Sequence, residues 1–186
     1  SIGYWREHLP YNSAIALAAG NDKVYCATPF SLFSVNKENE VERFSRITGL
    51  NETGISAIAF DNSKMKLLVA YSNSNIDIIY KNDIINIPDI KRDNIIGNKT
   101  IYQIYPFQSK FYLATGLGVI VIDANRYEVM DTWFIGNGGN QVRVNGFANN
   151  AQYFFAATEE GLKAVDMNAP NLANAGNWQI IKPGAC

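Results

Sequence analysis

Short apolar runs that end in a small residue recur along this chain. Val24–Thr28, Leu67–Tyr71, Phe111–Thr115 and Tyr153–Thr158 each read as a buried strand, followed by turn residues and a second apolar strand. The alanine before Thr or Tyr marks the phrase, and Ala27, Ala70, Ala114 and Ala157 lie 43, 44 and 43 residues apart. Strands repeating at such an interval predict the blades of a β-propeller.

The remaining strands keep the same step. Leu17, Phe60, Ile104 and Phe147 each stand ten residues before the marking alanine and close the run expected to form an inner strand. Leu32, Ile76, Val119 and Leu162 open the third strands, and the one extra residue of the second interval falls in the turn Ser72–Asn75. Turns absorb insertions because a one-residue slip inside a strand would turn every side chain to the wrong face. Thr115–Val119 and Thr158–Leu162 carry Gly where a tight hairpin needs it. Outer strands are predicted at Val41–Phe44, Ile84–Ile87, Met130–Phe134 and Trp178–Ile181.

The opening residues Gly3–Arg6 resemble Gly176–Gln179, and Trp5 and Trp178 are 173 residues apart, close to four repeats. This predicts a lone outer strand over residues 1–10, then blades at 11–50, 51–98, 99–140 and 141–186. A propeller closes when one chain end completes the blade built by the other, which removes exposed sheet edges. Here both ends supply an outer strand. The expectation is therefore an all-β, partial β-propeller: four four-stranded antiparallel blades of a larger ring, seven-bladed by expectation, belonging to a longer protein.

Composition narrows the chemistry. With 47% hydrophobic and 18% charged residues the chain can bury a core, and a net charge of −1 offers no electrostatic case for nucleic acid. Its longest apolar runs, such as Ala14–Ala19, fall well short of the roughly 20 residues that span a bilayer. Cys26 reads as a small core hydrophobe and Cys186 as an incidental terminal thiol. His8 is the single histidine, so no His-based metal cluster can be built, and a rim position suits it better than a catalytic role. Asp123 and Asp166, each followed two residues on by Asn, read as caps of equivalent hairpin turns. Gly136–Gly139 lacks the Lys and the helix of a phosphate loop and reads as a connector, and Glu159-Glu160 as a solvated hairpin tip. Tyr25, Phe111, Tyr112, Tyr153, Phe154 and Phe155 are expected to fill the space between blades. No catalytic residue, metal site or cofactor is predicted.

Two features remain as candidates for binding. Tyr11, Tyr71 and Tyr105 could form a stacking platform for a sugar. The connector Pro88–Lys99 is longer than a step between blades requires and carries Lys91, Arg92 and Lys99 against Asp89 and Asp93. Charge runs often only face water, but long loops on a rigid scaffold are where binding is placed. The candidate binding residues are Lys91, Arg92 and Lys99, with Tyr71 and Asn73 from the neighbouring turn phrase.

Ile2–Asn12, Ser45–Leu50 followed by Gly54–Ala59, Ala70–Asp77 and Ile87–Arg92 together resemble the N-terminal propeller of PorZ-type proteins of the type IX secretion machinery, related to two-component-regulator propeller repeats. The resemblance implies a surface-exposed, outer-membrane-associated protein with two propellers and a C-terminal sorting domain. It further implies work beside a sortase-type peptidase and contact with anionic lipopolysaccharide, and it offers no catalytic residues to transfer. The expected function is a non-enzymatic binding and scaffold module of a cell-surface secretion complex, with protein partners and an anionic glycan as candidate ligands. The alternative is the periplasmic, oligosaccharide-sensing propeller of a hybrid two-component regulator. A propeller enzyme would need a cluster of His, Arg or metal-ligating carboxylates at the axis, where the inner strands offer mainly Ala, Ile, Val and Asn.

Overall fold

The computed structural model describes residues 11–182. The predicted Trp5 strand, His8 and Cys186 lie outside the described residues. Blade 1 comprises β1 (Ala16–Gly20), β2 (Lys23–Ala27), β3 (Leu32–Asn36) and β4 (Val41–Phe44), and blade 2 comprises β5 (Ile55–Asp61), β6 (Lys66–Tyr71), β7 (Ile76–Tyr80) and β8 (Asp83–Ile87). Blade 3 is β9 (Ile101–Phe107), β10 (Lys110–Thr115), β11 (Val119–Asp123) and β12 (Glu128–Trp133); blade 4 is β13 (Val144–Asn149), β14 (Tyr153–Thr158), β15 (Gly161–Asp166) and β16 (Gln179–Ile180). Each sheet is antiparallel, with its strands ordered as they occur in the chain. The first strands of successive blades pack on one another, β1 on β5, β5 on β9 and β9 on β13, so they form the inner side of an arc of four blades that is not closed into a ring.

Local chemistry sets the hairpins. Asn21 and Asp22 both take positive φ (54° and 56°), as do Gln108 and Ser109 (48° and 63°), the requirement of the two-residue turns that match strand twist. Asp123 Oδ1 accepts from the N–H groups of Asn125 and Arg126, and Asp166 Oδ1 from that of Asn168, so both aspartates cap turns as predicted. Thr115 Oγ1 accepts from Leu117 N–H and donates to Gly118 O, and Thr158 repeats the pattern with Glu160 and Gly161.

Apolar side chains fill three inter-blade layers. Tyr25 of blade 1 stacks on Phe60 of blade 2 at 5.5 Å, and Tyr112 of blade 3 stacks on Phe147 of blade 4 at 5.1 Å. Between them Phe111, Leu68, Ile78 and Leu113 are fully buried, each side chain contributing about 1.5–3 kcal/mol. The register corrects one expected equivalence. Leu17, Ile104 and Phe147 pair with Cys26, Leu113 and Ala156, and the residue of blade 2 in that position is Ile58, paired with Val69, not Phe60. The first hairpin of blade 2 has a longer loop, Asn62–Met65, which shifts the count. Leu17 is 67% exposed because its face of blade 1 has no sheet against it among the described residues. Tyr153 and Phe155 lie on the corresponding free face of blade 4, where they line an open cavity instead of an inter-blade core.

Candidate functional site

The connectors between blades and the turns between second and third strands share one face of the arc. There the connector after β8 opens with a helical turn, α1 (Asp89–Arg92), in which Arg92 N–H donates to Pro88 O and Asp93 N–H to Asp89 O. Ile90 is buried and anchors the turn, which leaves Lys91 and Arg92 outward. Beneath it lies a cavity of about 40 Å³, lined in part by Ile90, Lys99, Leu117 and Thr132, so any sizeable ligand must lie across the surface.

The predicted binding residues divide into held and unheld groups. Lys91 Nζ is 2.5 Å from Glu52 Oε1, which also accepts from Asn75 Nδ2 at 3.2 Å. The Lys91 ammonium holds the Glu52 carboxyl below its usual range; burial opposes this and the Asn73 and Asn75 amides assist it. Asn73 Oδ1 accepts from Asn75 N–H, which fixes the turn. Lys99 Nζ bonds Asp93 O, and its carbonyl accepts from Ser74 Oγ at 2.9 Å. Arg92 is exposed and makes no ion pair among the described residues.

Tyr71 has a different place from the predicted stacking platform. It is wholly buried and its hydroxyl donates to Asp77 Oδ2 at 2.5 Å. Asp77, also wholly buried, accepts in addition from Asn51 N–H (2.9 Å), Asn51 Nδ2 (3.0 Å) and Asn86 Nδ2 (2.8 Å). Burial first, then the Asp77 charge, pushes the Tyr71 phenol far up. With no free ring face, Tyr71 braces the blade and offers no surface for stacking. Tyr105 is likewise engaged, its hydroxyl donating to Asn149 Oδ1 at 2.6 Å, and Tyr11 packs edge-on against Phe33 at 5.6 Å. The three tyrosines do not form one platform.

The hairpin tip Glu159-Glu160 departs from the solvated reading. Glu160 Oε2 accepts from Lys163 Nζ at 2.6 Å, and both its oxygens accept from Asn137 N–H, which pins the glycine-rich connector Gly136–Gly139 as an ordered 3-10 turn. Lys163 is 3% exposed and donates also to Ile135 O at 2.7 Å, at the edge of a 610 Å³ solvent-open cavity lined by Phe134, Gly136, Gly176 and Trp178. Nothing in the local sequence marks Lys163 as buried; its partners come from 28 and 3 residues away. Among the described residues no group of three or more His, Cys, Asp or Glu side chains could hold a metal ion. Nor is any helix among them long and apolar enough to cross a membrane.

The family described as "TSS9, PorZ, N-terminal beta-propeller domain" matches residues 24–179. The chain belongs to that family. PorZ itself, an essential bacterial surface component of the type-IX secretion system of Porphyromonas gingivalis, is similar at 25% identity and a TM-score of 0.84, over 97% of this chain and 24% of that one. The extracellular domain of BT4673 from B. thetaiotaomicron shares the fold at 12% identity and a TM-score of 0.70, over 96% of this chain and 23% of that one. AztD from Citrobacter koseri does so at 12% identity and a TM-score of 0.58, over 84% of this chain and 45% of that one. The chain thus spans about a quarter of the length of the PorZ and BT4673 structures. No curated protein matches it.

Proposed function

We propose that this PorZ-family propeller is a non-enzymatic binding and scaffold module of a type IX secretion complex, outside the cytoplasm and associated with the outer membrane. Its connector-bearing face meets an anionic glycan such as lipopolysaccharide, or an acidic surface of a partner protein, through Arg92 with Lys91, Lys99 and Asn73 around it. Family membership and the PorZ likeness support the setting. The observation that carries the contact is the state of Arg92: exposed, outward on a turn anchored by Ile90, and without an ion pair among the described residues. Lys91 and Lys99 already have partners and add local charge rather than free donors. The sensor reading has only a fold likeness at 12% identity behind it.

Lipopolysaccharide binding by the full-length protein, measured by surface plasmon resonance, tests the contact. An exposed charged pair is worth up to about 1 kcal/mol, so Arg92→Glu is expected to weaken binding roughly fivefold or more while leaving the melting temperature in place. Unchanged affinity would remove Arg92 from the site.

A further inference from the structure

Three inner strands carry a bulge near their first residues. β5 pairs Ile55 with Tyr71 and Ala57 with Ala70; β9 pairs Ile101 with Thr115 and Gln103 with Ala114; β13 pairs Val144 with Thr158 and Gly146 with Ala157. The residues left over are Ser56, Tyr102 and Asn145. A regular strand sends side chains alternately to the two flanking blades, as Ala57 and Ile58 do. An extra residue breaks that alternation and re-aims its side chain. Because these are the innermost strands, all three extra residues stand by the axis, where the connectors enter.

Tyr102 is the centre of a built group there. Its hydroxyl accepts from Asn98 Nδ2 at 2.9 Å, and the Arg143 guanidinium lies 4.4 Å from its ring centroid. Arg143 is exposed and makes no ion pair among the described residues; the Glu159 carboxylate beside it accepts from its backbone N–H. Asn145 is exposed, and Ser56 Oγ is buried with no hydrogen-bond partner among the described residues. None of these groups is needed to pair the strands.

We infer that the inner edge of the arc where blades 3 and 4 meet binds a carboxylate, with Arg143 on the Tyr102 ring as its anchor. A guanidinium laid on an aromatic face is held in one orientation and keeps its edge free, and its planar fork matches the two oxygens of a carboxylate. One cation suits a monoanion, and the Tyr102 hydroxyl, which accepts from Asn98 Nδ2, keeps its proton as a neutral donor beside it. This site shares no residue with the Arg92 surface and stands whether or not that contact does.

Titration calorimetry on the full-length protein tests it with two carboxylate sources: glucuronate, with its methyl ester as control, and N-acetyl-dialanine, with its C-terminal amide as control. At least one free carboxylate is expected to bind, and the one that does names the source. Its neutral control should bind at least roughly tenfold more weakly, and Arg143→Gln should produce a similar loss at unchanged melting temperature. Arg143→Lys keeps the charge but not the fork and is expected to lose binding as well, whereas Arg92→Glu is expected to change nothing. No binding of either acid at millimolar concentration overturns the inference. So does binding that survives Arg143→Gln or that the neutral control matches.

Discussion

Removing one hydroxyl from the centre of blade 2 is expected to cost more than most surface truncations. In Tyr71→Phe the ring volume is kept, so no cavity forms, and what disappears is the donor 2.5 Å from Asp77 Oδ2. Asp77 is 0% exposed, and among the described residues its partners are the neutral groups of Tyr71, Asn51 and Asn86, with no cation. A hydrogen bond to a charged group contributes about 1.5–3 kcal/mol, and water cannot replace the lost donor at a fully buried oxygen. Since 1 kcal/mol shifts a domain of this size by about 2–4 °C, the melting temperature should fall by roughly 3–12 °C. Burial and the Asp77 charge push the phenol far up, so the donor stays protonated and the loss should persist as pH rises above neutrality. Urea unfolding of the parent and the variant, followed by circular dichroism, gives the difference directly. Tyr25→Phe is a control, because that buried tyrosine packs on Phe60 through its ring and its hydroxyl has no bond to a buried charge among the described residues. A loss for Tyr71→Phe below about 0.5 kcal/mol, the range of an indifferent surface change, would refute the account of Asp77 as an anion held by neutral donors.

Two further outcomes follow from the geometry, beside those given for Arg92 and Arg143. Gly118→Ala should destabilise by more than about 2 kcal/mol, because Gly118 has φ 141° and an added Cβ would meet Trp133 O at 2.1 Å; a variant that melts like the parent would show that the turn can relax. The Glu52 carboxyl is held below its usual range by Lys91, so its contribution is present above the unfolded value of about 4.3 and is lost as pH falls through the lower folded value. Lys91→Ala should therefore lower stability at neutral pH and flatten the acid side of the stability curve, read from urea midpoints from pH 7 down to about 3.

The repeat was legible because it is written in strand-forming residues at a nearly constant step. Ala27, Ala70, Ala114 and Ala157 each fall at the end of the second strand of a blade, as spacing predicted. Where the count failed, as at Phe60, the cause was a four-residue loop where the other blades have two or three, which spacing from the alanine cannot see. Leu17 holds the same repeat position as Ile104 and Phe147, which are core, yet it is exposed; its exposure depends on whether a sheet lies on that side, which no local pattern records. Tyr71 misled for a related reason: it stands where the other blades have Thr, at a turn, and turn tyrosines usually face solvent. Its burial is set by Asp77 six residues later. Arg143 and Tyr102 were passed over because their contact spans 41 residues and depends on two bulges, and a bulge carries no sequence signal of its own here.

Blade 2 departs from the shared pattern in several ways, and two of the departures act on the same surface. Thr28, Thr115 and Thr158 stabilise their turns with a local hydroxyl bond; Tyr71 gives that up and reaches across to Asp77. In exchange Asp77 ties together Asn51, in the connector entering blade 2, and Asn86, on the strand leaving it. Glu52, next to Asn51, receives Lys91, and Ile90 seats the turn that ends in Arg92. A chain of fixed groups thus runs from a buried carboxylate to the exposed guanidinium. Ordering Arg92 in this way lowers the entropy lost when a ligand is bound. Weakening the brace at Asp77 should therefore loosen the proposed contact without touching it, whereas the Arg143 site, built on blades 3 and 4, should not respond.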